Sequence, residues 1–369
     1  MKIFHINTNF INNALHQNMT EALNVHGIES TVAVPTCDYK NTVIEPKSYV
    51  SICECFSKFD RVWYGNKQRK IFSYIDSHFN MSDYDAIHAY TLFTDGNVAY
   101  RLKKKYGIPY VVAVRNTDVN TFFKYMIHLR KRGIEILKNA SAVFFLSKAY
   151  EIIMFDKYIP QKYAEEIRAK SYVIPNGLDP FWLANIPEES KNTPDKKIKI
   201  CFAGKIDNNK NCELTADACK KLISEGYDVE YTVIGKLIDE SFKAVIDKNE
   251  FITHIPFLKK EELVNYYRRS DIFVMPSFKE SFGMVYAEAM SQGLPVIYTK
   301  GQGFDGQFEE GVVGYRVDSS SSDDIVMAIK NILSDYENKS KRCIKNAASF
   351  DWNKISEKYK EIYNDKICK

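Results

Sequence analysis

The chain has 369 residues, of which 45% are hydrophobic and 27% are charged, and its formal net charge is +4. This length is too great for one ordinary domain and suits two domains of about 150 to 180 residues, each with its own core. The small positive charge is not the signature of a nucleic-acid-binding protein. No apolar run approaches the roughly 20 residues of a membrane-spanning helix.

The first residues, MKIFHINTNF, are expected to form a buried strand and not a secretory signal, because they contain neither a long apolar stretch nor a small-residue cleavage site. The eight cysteines show no spacing typical of a metal site or a disulfide framework. Free thiols in a reducing compartment are the interpretation that follows. We therefore expect a cytoplasmic protein.

Strand-like apolar runs alternate with helical patterns through the first half of the chain. This alternation, with strands rich in Val, Ile and Phe, predicts a parallel sheet covered on both faces by helices. The predicted strands are Lys2–Ile6, Ser30–Pro35, Ala86–Ala89, Tyr110–Val114 and Ala142–Ser147, and the predicted helices are Ala14–His26, Lys67–Phe79, Gly96–Tyr106 and Lys124–Asn139.

Polar residues follow three of these strands, and ligands of parallel sheets bind beyond the carboxyl ends of the strands. The candidate ligand contacts are Asn9, His88, Arg115, Asn116 and Asp118. Other interpretations stay open at each position. The asparagines around Asn9 can be turn formers, His88 can be a core residue, and Arg115 can pair with Asp118 in place of a ligand phosphate.

Two segments, 101–105 and 124–132, mix lysine and arginine with apolar residues. One interpretation is a solvated helix face. The other is a shallow contact with anionic lipid headgroups.

Residues 185–197, NIPEESKNTPDKK, are polar, contain two prolines and interrupt all periodicity, which predicts an interdomain linker. The alternation then restarts, so a second parallel-sheet domain is expected. Its predicted strands are Ile198–Gly204, Glu230–Ile234, Ile252–Pro256, Ile272–Met275 and Val296–Thr299, and its predicted helices are Glu213–Ser224, Glu240–Asp247, Lys260–Arg269, Met284–Gln292, Ser322–Ser334 and Asp351–Asp365.

The stretch 277–299, SFKESFGMVYAEAMSQGLPVIYT, places Glu280 and Glu288 on either side of seven residues. Gly283 allows a ligand to approach the backbone closely, and the free N–H groups at the start of the following helix favour an anion. Glu280 precedes the helix and Glu288 lies within it, so both can face one ligand at different depths. The alternative is that Glu280 caps the helix and Glu288 is a surface residue.

The segment ESFGMVYAE is similar to the glutamate–seven–glutamate motif of the retaining, nucleotide-sugar-dependent glycosyltransferases of family 4. Three further stretches match that family in order: YVIPNGLDPFW at 172–182, CFAGKIDNNKN at 201–211 and DIFVMPS at 271–277. The chain therefore resembles the family over nearly all of its C-terminal domain.

The resemblance implies the GT-B fold, which is α/β with two Rossmann-like domains whose parallel sheets face each other across a cleft. The expected organisation is an acceptor-binding domain at 1–178, a linker at 179–197 and a nucleotide-sugar-binding domain at 198–349. A final helix at 350–369 would cross back to the first domain, with Trp352, Tyr359 and Tyr363 on its buried face; an ordinary core helix explains the same spacing.

The resemblance also implies roles for individual residues. Lys205 and Lys210 would hold the donor diphosphate, Glu280 would contact the sugar hydroxyls, and Glu288 would contact the ribose hydroxyls. The two lysines and Glu280 are the candidate catalytic residues. The further donor contacts are Gly204, Phe282, Gly283, Met284 and Val285, and the candidate ligand contacts of the first domain become acceptor contacts.

Two features depart from the family pattern. The loop NTNFINN has no glycine where many members have a glycine pair beside the donor phosphates, which puts a phosphate contact from this loop in doubt. The strand end before Arg115 lacks the histidine that many members place nearby. The Asp83–Asp85 pair resembles the metal-binding Asp-x-Asp of another glycosyltransferase class, but it precedes a strand as a turn.

The sequence thus predicts a retaining, metal-independent hexosyltransferase without a cofactor. Its expected partners are a nucleotide-sugar donor, UDP-linked, and a glycan or undecaprenyl-linked glycan acceptor, with peripheral contact to an anionic membrane at the inner face of the plasma membrane and no nucleic acid. The expected setting is cell-surface polysaccharide synthesis, such as capsule or lipopolysaccharide. The alternatives are a catalytically silent subunit of the same fold and a nucleotide-sugar epimerase.

Overall fold

The computed structural model describes residues 1–12, 14–38 and 47–367. They fall into two units. The first contains the described parts of Met1–Leu146, together with Tyr150–Gly177 and the chain from Trp352 onward, and the second contains Ser147–Ala149 and Leu178–Asp351.

Within the described residues, seven strands form the sheet of the first unit, and all neighbouring pairs are parallel. The strands are β1 (Lys2–Ile6), β2 (Glu29–Thr36), β3 (Val50–Glu54), β4 (Ala86–Ala89), β5 (Tyr110–Val114), β6 (Ala142–Phe145) and β7 (Ser171–Val173). The order across the sheet is β3-β2-β1-β4-β5-β6-β7. The helices are α1 (Leu15–Val25), α2 (Tyr64–His78), α3 (Asp95–Tyr106), α4 (Arg130–Asn139), α5 (Lys148–Lys157) and α6 (Gln161–Arg168).

Both faces of this sheet are buried, as the continuous apolar strands predict. In β5, Val112 and Val114 face one core cluster, and Val111 and Ala113 face another, because successive side chains of a strand point to opposite faces. The last helix, α14 (Trp352–Ile367), covers the second face with Trp352, Tyr359 and Tyr363.

Six parallel strands form the sheet of the second unit. They are β8 (Lys197–Ala203), β9 (Asp228–Ile234), β10 (Ile252–Ile255), β11 (Ile272–Met275), β12 (Val296–Thr299) and β13 (Gly314–Val317), in the order β10-β9-β8-β11-β12-β13. The helices are α7 (Pro180–Ala184), α8 (Cys212–Ser224), α9 (Glu240–Asp247), α10 (Lys260–Arg269), α11 (Met284–Ser291), α12 (Ser322–Leu333) and α13 (Tyr336–Ala347). Two Rossmann-like α/β units with parallel sheets confirm the predicted fold class.

The structure differs from the sequence prediction at the helix expected over Lys124–Asn139. Within this range the chain forms a 3₁₀ turn at Ile127–Leu129, and α4 begins only at Arg130. A π-helical turn at Asp118–Phe123 comes just before the range. In that turn two consecutive side chains pack on one ring: Phe122 stacks on Phe93 with centroids 4.7 Å apart, and Phe123 meets it edge-on at 5.1 Å.

Several elements were not predicted. The strands β3, β7 and β13 are short and only partly buried, so they carry no continuous apolar signal. The helix α13 is rich in polar residues, so its sequence shows no clear apolar face. Its buried side chains are recognised only from its packing on α11. Within the described residues no helix is both long and apolar enough to cross a membrane.

Candidate functional site

The strand order of the second unit reverses at β8, which lies between β9 and β11. In open α/β sheets a ligand binds beyond the carboxyl ends of the strands at such a reversal. The two loops that leave this point are 204–211, after β8, and 276–283, after β11. The candidate catalytic residues Lys205, Lys210 and Glu280 all lie in these loops, so the fold brings the predicted donor residues to one edge.

The loop 204–211 is held in one conformation by hydrogen bonds and is not simply a solvent-exposed connection. The Asp207 carboxylate accepts from the backbone N–H of Lys210 at 3.1 Å and caps a short 3₁₀ turn. The Asn209 side chain bonds both the N–H and the C=O of Lys279, at 3.1 and 2.9 Å. Asn211, in the left-handed conformation with φ 56°, donates to the carbonyl of Pro276 at 3.2 Å. These bonds fix the first loop against the second.

The ammonium of Lys210 pairs with the carboxylate of Glu280, with Nζ 2.6 Å from Oε2. The other carboxylate oxygen accepts from the backbone N–H of Ser281 at 2.9 Å. Both side chains are largely shielded, with 20% and 13% of their surface exposed. A charge-assisted bond of this length in a partly buried place orients both groups.

Lys205 contrasts with Lys210. Its side chain is exposed, and no group in the described part of the chain pairs with it. It follows Gly204, whose carbonyl oxygen would lie 1.8 Å from a Cβ at Gly235. The two strand ends therefore approach so closely that only glycine fits at Gly235, and the chain leaves β8 with Lys205 at the rim.

Gly283 precedes α11 in the left-handed conformation with φ 78°. A Cβ there would come within 2.4 Å of the Tyr286 ring and 3.2 Å of Glu280 Cγ. The hydroxyl of Tyr286 in turn donates to the carbonyl of Met275 and ties the helix to β11. Because the first amides of a helix have no acceptor inside it, those of Met284 and Val285 are available to an anion at this point.

The loop 301–306 holds the Glu280 turn in place. The side chain of Gln302 accepts from the Glu280 N–H at 3.0 Å, and the Gly303 N–H donates to the Glu280 carbonyl at 3.0 Å. Phe282 is buried against Phe304, with ring centroids 6.3 Å apart. Phe282 can therefore offer a ligand only its backbone.

Glu288 lies in the second turn of α11 and is partly buried. Burial raises its pKa from 4.5 to about 7; the carboxylate of Asp179 adds to this rise and the ammonium of Lys260 opposes it. Asp179 and Lys260 form their own ion pair at 2.7 Å. Within the described residues no donor pairs with the Glu288 carboxylate, which leaves it able to accept from a ligand hydroxyl.

In the first unit, His88 is a core residue with no exposed surface. Its Nδ1 lies 2.6 Å from the Tyr363 hydroxyl, and its ring stacks on Tyr90 with centroids 4.3 Å apart. Burial holds its pKa well below the ordinary value. This corrects the expectation that His88 contacts an acceptor, because α14 covers the ring. His88 is a core residue, which was the alternative interpretation.

Asp118 is also fully buried. Its carboxylate accepts from the backbone N–H groups of Leu92, Phe93 and Arg115 at 3.0, 3.1 and 2.9 Å. Burial raises its pKa to about 6, and these bonds oppose the rise. These hydrogen bonds join the chain after β4 to the chain after β5. They correct the expectation that the Asp118 side chain contacts an acceptor, because its role is structural.

Arg115, Asn9 and Asn116 stay at the surface or half-buried. The Arg115 guanidinium donates to the carbonyl of Tyr90 at 2.9 Å and lies 3.5 Å from the Asn176 side chain. Asn116 accepts from Asn120 at 2.6 Å, and the Asn9 N–H donates to Asn7 at 3.0 Å. These three positions remain predictions for acceptor contact.

No group of three or more His, Cys, Asp or Glu side chains in the described ranges is placed to hold a metal ion. The described cysteines are free thiols.

Comparison with known proteins places the chain in a family. Residues 17–181 match the model for "Glycosyltransferase Family 4", and residues 186–350 match that for "Glycosyl transferases group 1". The chain is a family 4 glycosyltransferase.

Several proteins are similar to this glycosyltransferase. It is 26% identical over 306 residues to the D-inositol 3-phosphate glycosyltransferase of Paenarthrobacter aurescens, covering 77% of this chain and 73% of the relative. A lipopolysaccharide outer core galactosyltransferase superposes with a TM-score of 0.74 at 14% identity, covering 99% of this chain and all of that one. An Anabaena protein in complex with UDP and glucose superposes with a TM-score of 0.63 at 16% identity, with the same coverage. The two structures show the shared GT-B fold.

Proposed function

We propose that this glycosyltransferase moves a hexose-type sugar from a nucleotide-sugar donor, UDP-linked, to a glycan or lipid-linked glycan with retention of anomeric configuration. The observation that carries the proposal is the Lys210–Glu280 ion pair beside the start of α11, at the strand-order reversal of the second sheet. A cation, a carboxylate and free helix amides are thereby brought together. These are the groups that a sugar diphosphate requires.

In the proposed reaction, the bond between the sugar C1 and the diphosphate oxygen breaks while the acceptor hydroxyl attacks from the same face. The hydroxyl proton passes to the leaving phosphate oxygen, and no enzyme group forms a covalent intermediate. The leaving nucleoside diphosphate gains negative charge in the transition state. Lys205, Lys210 and the first amides of α11 stabilise that charge selectively, which lowers the barrier.

The pair with Glu280 leaves Lys210 able to serve the diphosphate. An ammonium has three N–H donors, and one of them engages Oε2. The other two can reach phosphate oxygens while Glu280 is held for the sugar hydroxyls. With two ammonium groups at the diphosphate, we propose a mechanism that does not depend on a metal ion.

The proposed donor and setting follow from the similar proteins. The Anabaena structure contains UDP and glucose, which supports a UDP-sugar donor. The lipopolysaccharide galactosyltransferase supports a role in cell-surface polysaccharide synthesis. For the acceptor we propose contacts from Asn9, Arg115 and Asn116, and we place the enzyme at the cytoplasmic face of the membrane.

Of the two basic segments, we propose membrane contact for 124–132. The run 101–105 is instead bound within its own unit. Lys105 pairs with Asp76 at 2.7 Å, and Lys103 donates to the Asn139 carbonyl at 2.7 Å.

The test is a thermal-shift panel of UDP, GDP, ADP and their sugar conjugates on the parent, on Lys210→Ala and on Lys220→Ala. Lys220 is an exposed lysine of α8 that pairs with Asp217, so it controls for the loss of a charge. We expect UDP compounds to raise the melting temperature of the parent and of Lys220→Ala but not of Lys210→Ala. No shift with any nucleotide would contradict donor binding and favour a catalytically silent subunit.

A further inference from the structure

Three large apolar side chains are exposed to solvent on one short turn of the first unit. Phe59, Val62 and Trp63 have 89%, 92% and 77% of their surface exposed. Scattered apolar residues are common at a protein surface, but adjacent ones of this size mark a place where something binds.

The turn is rigidly built. Asp60, within it, is buried, and its carboxylate accepts from the Ser57 N–H at 2.7 Å, the Ser57 hydroxyl at 2.8 Å, the Asn66 amide and the Lys70 ammonium at 2.8 Å. The hydrogen bond from Lys70 is the largest cause that holds the pKa of Asp60 well below its ordinary value. A buried carboxylate thus fixes a turn whose apolar side chains point outward.

A second exposed apolar turn lies beside the first. Tyr125 and Ile127 each have 65% of their surface exposed. The two turns are joined by a contact between two half-buried rings. Tyr64, which follows Trp63, meets Phe122 edge-on with centroids 6.0 Å apart.

Exposed cations lie beside both turns. Arg69 lines a hollow together with Trp63, and the Lys124 ammonium lies 5.2 Å from the centroid of the Tyr125 ring. Lys131 is also exposed, and Lys58 pairs with Asp38 at 3.1 Å. Beside the second turn, a hollow of about 370 Å³ is lined by Arg130, Lys131, Ile134, Glu135, Tyr158, Pro160, Lys162 and Tyr163. Three of these eight residues are cationic and one is acidic. Aromatic and aliphatic tips within a basic rim match a bilayer surface with anionic headgroups.

We propose that the turn Phe59–Trp63 and the turn Tyr125–Ile127 form one surface that binds an anionic lipid bilayer, with the apolar tips at the headgroup boundary and the hollow over a phosphate headgroup. This inference rests on the proposed function and deepens it, since it names a lipid surface as the partner of the acceptor-side unit. It adds the first turn, Phe59–Trp63, to the segment 124–132.

The test uses the intrinsic fluorescence of Trp63. The chain has three tryptophans, and the other two, Trp182 and Trp352, are buried. The full chain is mixed with vesicles of phosphatidylcholine alone or with phosphatidylglycerol added, and binding is followed by flotation, emission and iodide quenching. We expect flotation, a blue shift and protection from iodide only with phosphatidylglycerol.

Variants locate the surface. Trp63→Ser should weaken binding to the anionic vesicles on the order of tenfold, and Lys131→Gln about fivefold. Val25→Ser is the matched control, because Val25 is equally exposed, at 77%, at the end of α1; it should bind like the parent. The proposed nucleotide site is tested separately, because Lys210→Ala should lose the nucleotide shift and still bind vesicles.

Several outcomes would overturn the proposal. They are equal binding to vesicles without phosphatidylglycerol, no binding to either kind of vesicle, and equal loss in Val25→Ser and Trp63→Ser. A dimer in sedimentation that Trp63→Ser dissociates, without vesicle binding, would assign the surface to a second copy of the chain.

Discussion

The two sheets have the same kind of strand-order reversal, and the chain uses it in opposite ways. In the second unit the reversal at β8 opens into loops with glycines, an exposed Lys205 and a largely shielded ion pair. In the first unit the reversal at β1 is filled by rings: His5 and His88 face each other across β1 and β4, with centroids 5.6 Å apart. The reversal at β8 thus opens at the carboxyl ends of its strands beside the predicted donor residues, whereas the reversal at β1 has buried rings within its strands.

A polar residue after a strand therefore indicates a ligand site only if no other part of the chain buries it. Asp118 follows β5 and His88 lies near the end of β4, so both are expected from the sequence to contact a ligand, yet α14 and neighbouring strand ends bury them. Lys210 and Glu280 obey the same rule, and nothing covers them fully. Removing the side chain of Lys210 or Glu280 should therefore affect catalysis. Removing that of His88 or Asp118 should affect folding.

The largest effect is expected in the second unit. Lys210→Ala and Glu280→Gln should each lower turnover on the order of 10²–10³, because each removes a group that acts on charge or position in the transition state. The melting temperature should change little. The measurement is UDP release from a UDP-sugar, with Lys220→Ala as the control. A loss of turnover that tracks a loss of folded protein would remove the contrast between the units.

The next effect is expected in the first unit. Asp118→Asn replaces one carboxylate oxygen by an NH2 donor, which then faces one or two of the three backbone N–H groups, and should lower the free energy of unfolding by about 2–3 kcal/mol. Urea unfolding measures this. Asp156→Asn, an exposed position in α5, makes the same change of charge and should be nearly neutral. If both variants unfold alike, the carboxylate does not join the strand ends.

A smaller effect concerns the contact between His88 and Tyr363. Tyr363→Phe leaves the buried imidazole without its partner and should cost about 1–2 kcal/mol. The double variant His88→Phe/Tyr363→Phe removes both polar groups and should recover most of that loss. Unfolding free energies of the parent, the two single variants and the double variant complete the cycle. A double variant that loses the sum of the two single effects would show no coupling.

The last effect is a pH dependence in the second unit. Burial raises the pKa of Glu288 from 4.5 to about 7 in the folded chain. A carboxyl with a raised pKa favours folding while it is protonated, so its contribution is lost as the pH rises through the interval between the two values. The melting temperature of Glu288→Gln should therefore rise relative to that of the parent as the pH increases from about 5 to about 7. The exposed Glu261→Gln is the control. A flat difference would mean that Glu288 ionises normally.

Much of this could be predicted from sequence because the signals are local. Apolar strands, helix stops and the spacing of Glu280, Gly283 and Glu288 depend on residues a few positions apart. The rest depends on long-range packing. His88 is buried by a tyrosine 275 positions away, and the turn 280–283 is held by a loop some 20 residues later. The exposure of Phe59 and Trp63 likewise follows from the buried Asp60, which no periodicity reveals.

The most direct test of the donor site is a calorimetric titration of UDP into the parent, Lys205→Ala, Lys210→Ala and Lys220→Ala. The parent and Lys220→Ala should bind UDP with the same affinity. Lys205→Ala and Lys210→Ala should each bind on the order of tenfold more weakly, because each loses a charge-assisted contact with the diphosphate. Equal affinity in all four proteins would contradict a diphosphate site built from these two loops.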